Sequence, residues 1–221
     1  MFMNTVVRST VRESITNSLK NSTELYCFEK RDVSKYFDER IDYIGLPRMY
    51  LDFKVRTFEE ELLDEYLNNE RGMYLYGSTG TGKTSFACIL LAELMNRNKD
   101  MYKYPKFLDM RAIKYDIEQE YQQTKTIKDI IDRYTHTPLL VIDDFGVMIG
   151  TESYIQFISH IINHREQNNK RTIITSNKNL NWIGSNIDDR IASRITGLCD
   201  IIKFSGNDER LKKAKIKEII L

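Results

Sequence analysis

The octapeptide GSTGTGKT, residues 77–84, places three glycines and a lysine between the apolar run MYLY and the helical stretch TSFACILLAELM. The pattern is GxxxxGK[ST] in the order strand, loop, helix, the context in which backbone N–H groups turn inward around a phosphate chain. Gly77, Gly80 and Gly82 allow the turn, Ser78, Thr79 and Thr81 complete the wrap, and the helix N-terminus adds a favourable dipole. Lys83 is expected to neutralise the β and γ phosphates of ATP, and Thr84 to ligate magnesium. A glycine-rich turn that binds nothing is the bland reading, and the flanking strand and helix argue against it.

Two further polar groups follow apolar runs. LLVIDD, 139–144, closes a buried strand with two carboxylates, and an acid at the carboxyl end of such a strand faces the phosphate crevice. Asp143 is the expected magnesium holder. Asp144 stands where many hydrolysing P-loop proteins carry a glutamate that orients the attacking water, with one methylene fewer. TSN, 175–177, ends the run RTIITSN, and Asn177 is the expected contact to the γ-phosphate or to that water. Either motif alone reads as an ordinary strand end; after the phosphate loop, both point to nucleotide chemistry.

Such groups require a platform that brings the ends of several strands together. From residue 73 onward the runs MYLYG, KFLDM, PLLVID, RTIITSN and DIIKF alternate with helical stretches beginning near Lys83, Met110, Ile127, Glu152 and Ile187. The fourth carries Ile155, Ile158, Ile161 and Ile162 on one side. This is the pattern of an α/β fold, a five-stranded parallel sheet flanked by helices. The acidic segment TFEEELLDEYLNN, 57–69, predicts a helix leading into the first strand. Residues 1–44 are polar and mixed in charge and precede a loop marked by Gly45 and Pro47; they are expected to form an appendage to a single domain spanning 45–221.

Bulk composition narrows the classes. At 221 residues and 41% hydrophobic content the chain supports one well-buried core. A net charge of +1 excludes a uniformly basic nucleic-acid binder, so any such contact must be a local patch. The three cysteines, Cys27, Cys88 and Cys199, show no CxxC pairing, which fits free thiols in a reducing cytoplasm. No apolar run approaches the roughly 18 residues of a membrane span, and the expectation is a cytoplasmic protein with no membrane partner.

With DDRIASRI at 188–195 and FSGNDER at 204–210 following these motifs, the chain resembles the DnaC/IstB group of AAA+ ATPases. That group includes replicative helicase loaders and transposition helper ATPases. The resemblance runs from IGLPRMYLDF, at residue 44, to Arg210, and VIDDFGVMIGTES, 141–153, is similar to the loader branch. It implies a homo-oligomer in which Arg194, with Arg190 beside it, acts in trans on a neighbour's ATP, and a sensor 2 role for Arg210. It also implies that the helix after the second strand lines a path for single-stranded DNA, making Tyr121 and Lys125 candidate contacts, and that the partner is a replicative helicase or a transposase. The short stretch after DIIKF leaves no room for a C-terminal helical lid, which is also similar to this group. Other readings stay open. The arginines of DDRIASRI could form a solvated face paired with Asp188 or Asp189, and the chain could be a non-hydrolysing ATP-gated module. A small-molecule P-loop kinase has no use for the Asp pair, TSN and a trans arginine together. His160 and His164, four apart, could grip a metal, yet no acidic third ligand follows at a zinc spacing. The basic KKAKIKEII reads best as a solvated helix face.

Overall fold

The computed structural model describes residues 29–30, 44–47, 54–55, 57–97, 101–113, 126–147 and 152–206; Tyr121, Lys125 and Arg210 lie outside these. Five strands form the main sheet: β3 (Gly72–Gly77), β4 (Lys106–Asp109), β5 (Leu139–Phe145), β6 (Arg171–Ser176) and β7 (Cys199–Phe204). Their order is β4-β5-β6-β3-β7, and every neighbouring pair is parallel. Ahead of them β1 (Glu29–Lys30) and β2 (Lys54–Val55) make a short antiparallel pair.

The strands are apolar along their length because both faces of the sheet are covered. Side chains alternate between two cores. Met73, Leu75, Leu139, Val141 and Ile173 pack on one face with α1 (Thr57–Leu67) and α2 (Lys83–Arg97). Tyr74, Leu140, Ile142 and Ile174 pack on the other with α3 (Ile127–His136), α4 (Glu152–Gln167), α5 (Leu180–Asn186) and α6 (Asp189–Leu198). The isoleucines expected to share one side of α4 do so, with Ile158, Ile161 and Ile162 fully buried.

Two local outcomes differ from the sequence expectation. The chain turns at 110–112 after β4 and becomes helical only at Ile113, since the Asp109 carboxylate accepts the Arg111 N–H at 2.9 Å and holds the turn. The helix expected near Ile187 is α6, and a further helix that the sequence did not suggest, α5, precedes it, capped by Asn179 accepting from the Trp182 N–H at 2.8 Å. Asp188 breaks them apart, its extended backbone capping α6 while its Oδ1 accepts from the N–H groups of Arg190 at 2.7 Å and Ile191 at 3.2 Å. Asp188 therefore serves the backbone, not an arginine side chain. Near the expected boundary at residue 44, β1 pairs with β2, and Ile44 is buried in the α1–α2 core.

At the edge of the sheet where the strands begin, Arg165 is fully buried. Its Nε donates to Thr172 Oγ1 at 2.8 Å, Nη1 to the carbonyls of Tyr134 at 2.8 Å and Thr137 at 2.9 Å, and Nη2 to the Arg171 carbonyl at 2.7 Å. One guanidinium thus ties the end of α3, the end of α4 and the start of β6 into a single unit. Burial pulls its pKa down to about 9, which leaves it charged at neutral pH.

Candidate nucleotide site

β3 ends in the glycine-rich loop. Gly77 has φ 152° and lies so close to the β7 backbone that a Cβ there would collide with the Phe204 carbonyl, so glycine is required. Gly80 and Gly82 also have positive φ, 75° and 94°. Ser78 and Thr79 are exposed, while Thr81 is buried and donates to the Ser78 carbonyl at 2.9 Å. Lys83 arches over the loop, its Nζ donating to the carbonyls of Gly77 at 3.0 Å and Ser78 at 2.7 Å.

The strand order dictates what faces this loop. β6 lies between β3 and β5, so residues leaving β6 sit between the phosphate loop and the carboxylates that close β5. The β5–β6 register runs from Ile142 opposite Ile174 to Phe145 opposite Ser176, so Asp143 and Asp144 together oppose the single residue Thr175. This is a β-bulge, and it puts Asp144 at φ 55°, in the left-handed region. One hydroxyl serves both acids: Thr175 Oγ1 donates to Asp143 Oδ1 at 2.6 Å and accepts the Asp144 N–H at 3.0 Å. Asp143 Oδ1 also accepts from Thr84 Oγ1 at 2.8 Å, which joins the first residues of α2 to the end of β5. Its Oδ2 is buried without a hydrogen-bond partner. Burial pushes the Asp143 carboxyl above the usual carboxylate range, opposed by the hydrogen bonds from Thr175 and Thr84.

Asp144 turns the other way. Its Oδ2 lies 3.2 Å from Nε of Arg111, which also binds Asp109 through two contacts, Nε to Oδ1 at 3.1 Å and Nη2 to Oδ2 at 2.9 Å. Sequence reasoning missed Arg111 and Asp109, the one at the start of an expected helix and the other inside the strand run KFLDM. It also passed over Thr175 in favour of Asn177, although both belong to TSN.

Asn177 is exposed directly after β6. Next to it the Ser176 hydroxyl donates to the Phe145 carbonyl at 2.6 Å and accepts the Lys178 N–H at 2.9 Å, fixing the strand exit. Beyond the bulge Gly146, φ 81°, lies beneath Ile183 and Trp182, and the Lys178 ammonium sits 4.6 Å from the Trp182 ring centroid. On α6, Arg190 is exposed, whereas Arg194 Nη1 pairs with Glu166 Oε2 of α4 at 3.4 Å, each about one-third exposed. His164 stacks near His136 with ring centroids 5.0 Å apart, and among the described residues no three His, Cys, Asp or Glu side chains form a group able to hold a metal.

The family described as IstB-like ATP binding protein matches residues 52–217. The chromosomal replication initiator protein DnaA of Bacteroides thetaiotaomicron is 29% identical over 107 residues, 48% of this chain and 22% of the relative. This chain thus spans about a fifth of the length of that curated relative. A crystal structure of the DnaC helicase loader superposes with a TM-score of 0.59 at 21% identity, covering 77% of this chain and 99% of that one. A replication initiator DnaA bound to AMPPCP and single-stranded DNA gives 0.54 at 23% identity, covering 71% and 51%. What is shared with these structures is the fold, here a five-stranded parallel sheet flanked by helices.

Proposed function

The chain belongs to the IstB-like ATP binding protein family, and from that premise we propose that it is a magnesium-dependent AAA+ ATPase that loads a replicative helicase on single-stranded DNA. The observation that carries the ATPase reading is the Asp143 carboxylate, held by Thr84 and Thr175 with its second oxygen buried and without a partner beside the phosphate loop. An unpartnered buried carboxylate oxygen next to a hydroxyl fits a hard divalent cation, so Thr84 and Asp143 would hold magnesium. The ion supplies charge neutralisation to the bound phosphates.

Each side chain then has a defined task. The loop N–H groups and Lys83 bind the phosphate chain of ATP. Asp144 accepts the proton of a water as its oxygen attacks the γ-phosphorus and the bond to the β-phosphate oxygen breaks, releasing ADP. Asn177 donates to the γ-phosphate or to that water, and Arg210 follows β7 as a sensor of the same nucleotide. Arg194 reaches the nucleotide of an adjacent copy in a homo-oligomer. Its pair with Glu166 is about one-third exposed on each side and worth little, so it yields to a phosphate. Tyr121 and Lys125 are the proposed single-strand contacts, supported by the similarity to an initiator bound to single-stranded DNA; stacking on the tyrosine is worth roughly 1–3 kcal/mol per base. The similarity to a helicase loader supports the helicase as partner. The resemblance to the DnaC/IstB group implies a second candidate partner, a transposase served by the same ATPase parts, and affinity capture with either purified partner separates the two.

The test mixes two inactive variants. Lys83→Ala cannot hold ATP but offers Arg194, whereas Arg194→Ala holds ATP and lacks the finger. Each alone should turn over ATP about 10³-fold more slowly or worse, and mixtures should regain activity at the heterotypic interfaces. Mixtures that co-sediment yet stay inactive overturn the trans assignment.

A further inference from the structure

Resting on the trans reading of Arg194 above, we propose that Glu166 is a positioning residue that holds Arg194 against its own subunit, and that release of this contact sets the protein concentration at which ATP-bound copies assemble. The two arginines of α6 differ in what holds them. Arg190 is exposed. Arg194, one turn later, donates from Nη1 to Glu166 Oε2 at 3.4 Å, where α6 packs on α4. The carboxylate lies along α6, because its other oxygen, Oε1, sits 3.4 Å from the place a Cβ on Gly197 would take. Gly197 is three residues beyond Arg194 and so on the same face of the helix. A side chain reaching past Cβ at this position would occupy the place of the acid.

Glu166 stands in the last turn of α4, where the helix dipole favours cations, and His164 and Arg165 of that turn follow the rule. An acid there is set against the dipole, and the charge that answers it is Arg194 of the neighbouring helix. With each side chain about one-third exposed, the pair is screened by water and breaks reversibly. One guanidinium cannot serve Glu166 and a neighbour's nucleotide at once, so every new interface breaks one pair. A phosphate takes an arginine fork through two charge-assisted hydrogen bonds, so a triphosphate within reach displaces a single 3.4 Å contact. ADP lacks the terminal phosphate, and a finger with nothing to grip stays on Glu166. The affinity of one copy for the next is thus lowered by the fraction of copies whose Arg194 is free. Since each added copy repeats the same exchange, a small factor per interface moves the concentration needed for assembly by that factor.

The experiment follows sedimentation of the full chain over a range of protein concentrations, with magnesium and either AMPPCP or ADP. Glu166→Gln, which keeps the size and removes the charge, should assemble with AMPPCP at a concentration about two- to fivefold below that of the wild type, the shift a partly exposed ion pair can hold. With ADP it should sediment as the wild type does. In an Arg194→Ala background the same substitution should change nothing, since the pair is already gone. ATP turnover per subunit at saturating protein should stay at the wild-type value, because every Arg194 is then drawn out in either chain. A midpoint for Glu166→Gln equal to or above that of the wild type overturns the proposal. So does a gain that persists with ADP or in the Arg194→Ala background, which marks a general effect of surface charge. If Arg194→Ala itself assembles and turns over ATP as the wild type does, or the wild type stays monomeric with AMPPCP, the trans reading fails instead, a result distinct from any of these.

Discussion

The two edges of the main sheet each bury an ionisable group, and they treat it in opposite ways. Where the strands begin, Arg165 is enclosed by the end of α3, α4 and β6, and its donors are met by three carbonyls and a hydroxyl at 2.7–2.9 Å. Where the strands end, Asp143 is equally enclosed, yet one oxygen has no partner. A buried charge is tolerable when every polar valence is answered, and costly otherwise. The first edge is therefore built to hold the fold together. The second keeps an open valence, which raises the cost of folding and leaves a demand that a ligand can meet.

This contrast predicts stability effects of opposite sign when each charge is neutralised. Arg165→Met fills a similar volume but strands the carbonyls of Tyr134, Thr137 and Arg171. Its denaturant midpoint should correspond to a loss of roughly 3–5 kcal/mol. A loss under about 1 kcal/mol would mean that the guanidinium is replaceable by apolar packing and would erase the distinction between the edges.

Thr175→Val sharpens the account of the open edge. It removes the hydroxyl shared by Asp143 and by the Asp144 N–H, and should cost about 1–2 kcal/mol in chemical denaturation, with Thr175→Ser close to wild type. Equal losses for valine and serine would point to packing rather than to the hydroxyl.

The smallest effect is a gain. Because burial raises the Asp143 pKa in the folded chain above its ordinary value of about 3.9, the folded state binds the proton more tightly than the unfolded one. That contribution is complete below about pH 4 and is lost as pH rises through the folded pKa. Asp143→Asn, scanned without nucleotide, should therefore melt about 2–4 °C higher at pH 7, equivalent to about 1 kcal/mol, with the gain vanishing toward pH 4. A gain independent of pH would show that the carboxylate charge is not its source.

Much of the sheet was legible because its strands are continuous apolar runs ended by polar or glycine residues, and GSTGTGKT, Asp143 and Asn177 fall at those ends. What escaped notice depends on pairing between distant segments. Arg165 continues the stripe of Ile158, Ile161 and Ile162; a charge on an apolar stripe reads as an exception until the carbonyls of α3 and β6 are seen around it. Thr175 stood in the polar end TSN beside the chosen Asn177, and its link to both acids follows from a bulge that no single segment encodes. Helix α5 was hidden in TSNKNLNWIGSN, whose asparagines and serines read as a loop, although one of them is its cap. Arg111 needed the adjacency of β4 and β5 to meet Asp144.

Trp182 is the one tryptophan of the chain, and it lies over Gly146, two residues beyond Asp144, with the Lys178 ammonium against its ring. Indole emission is sensitive to a nearby charge and to the packing at its edge, so the protein carries its own optical probe within the exit of β5. Rearrangement of the bulge can be timed from this fluorescence in a stopped-flow instrument, without a dye and independently of phosphate release.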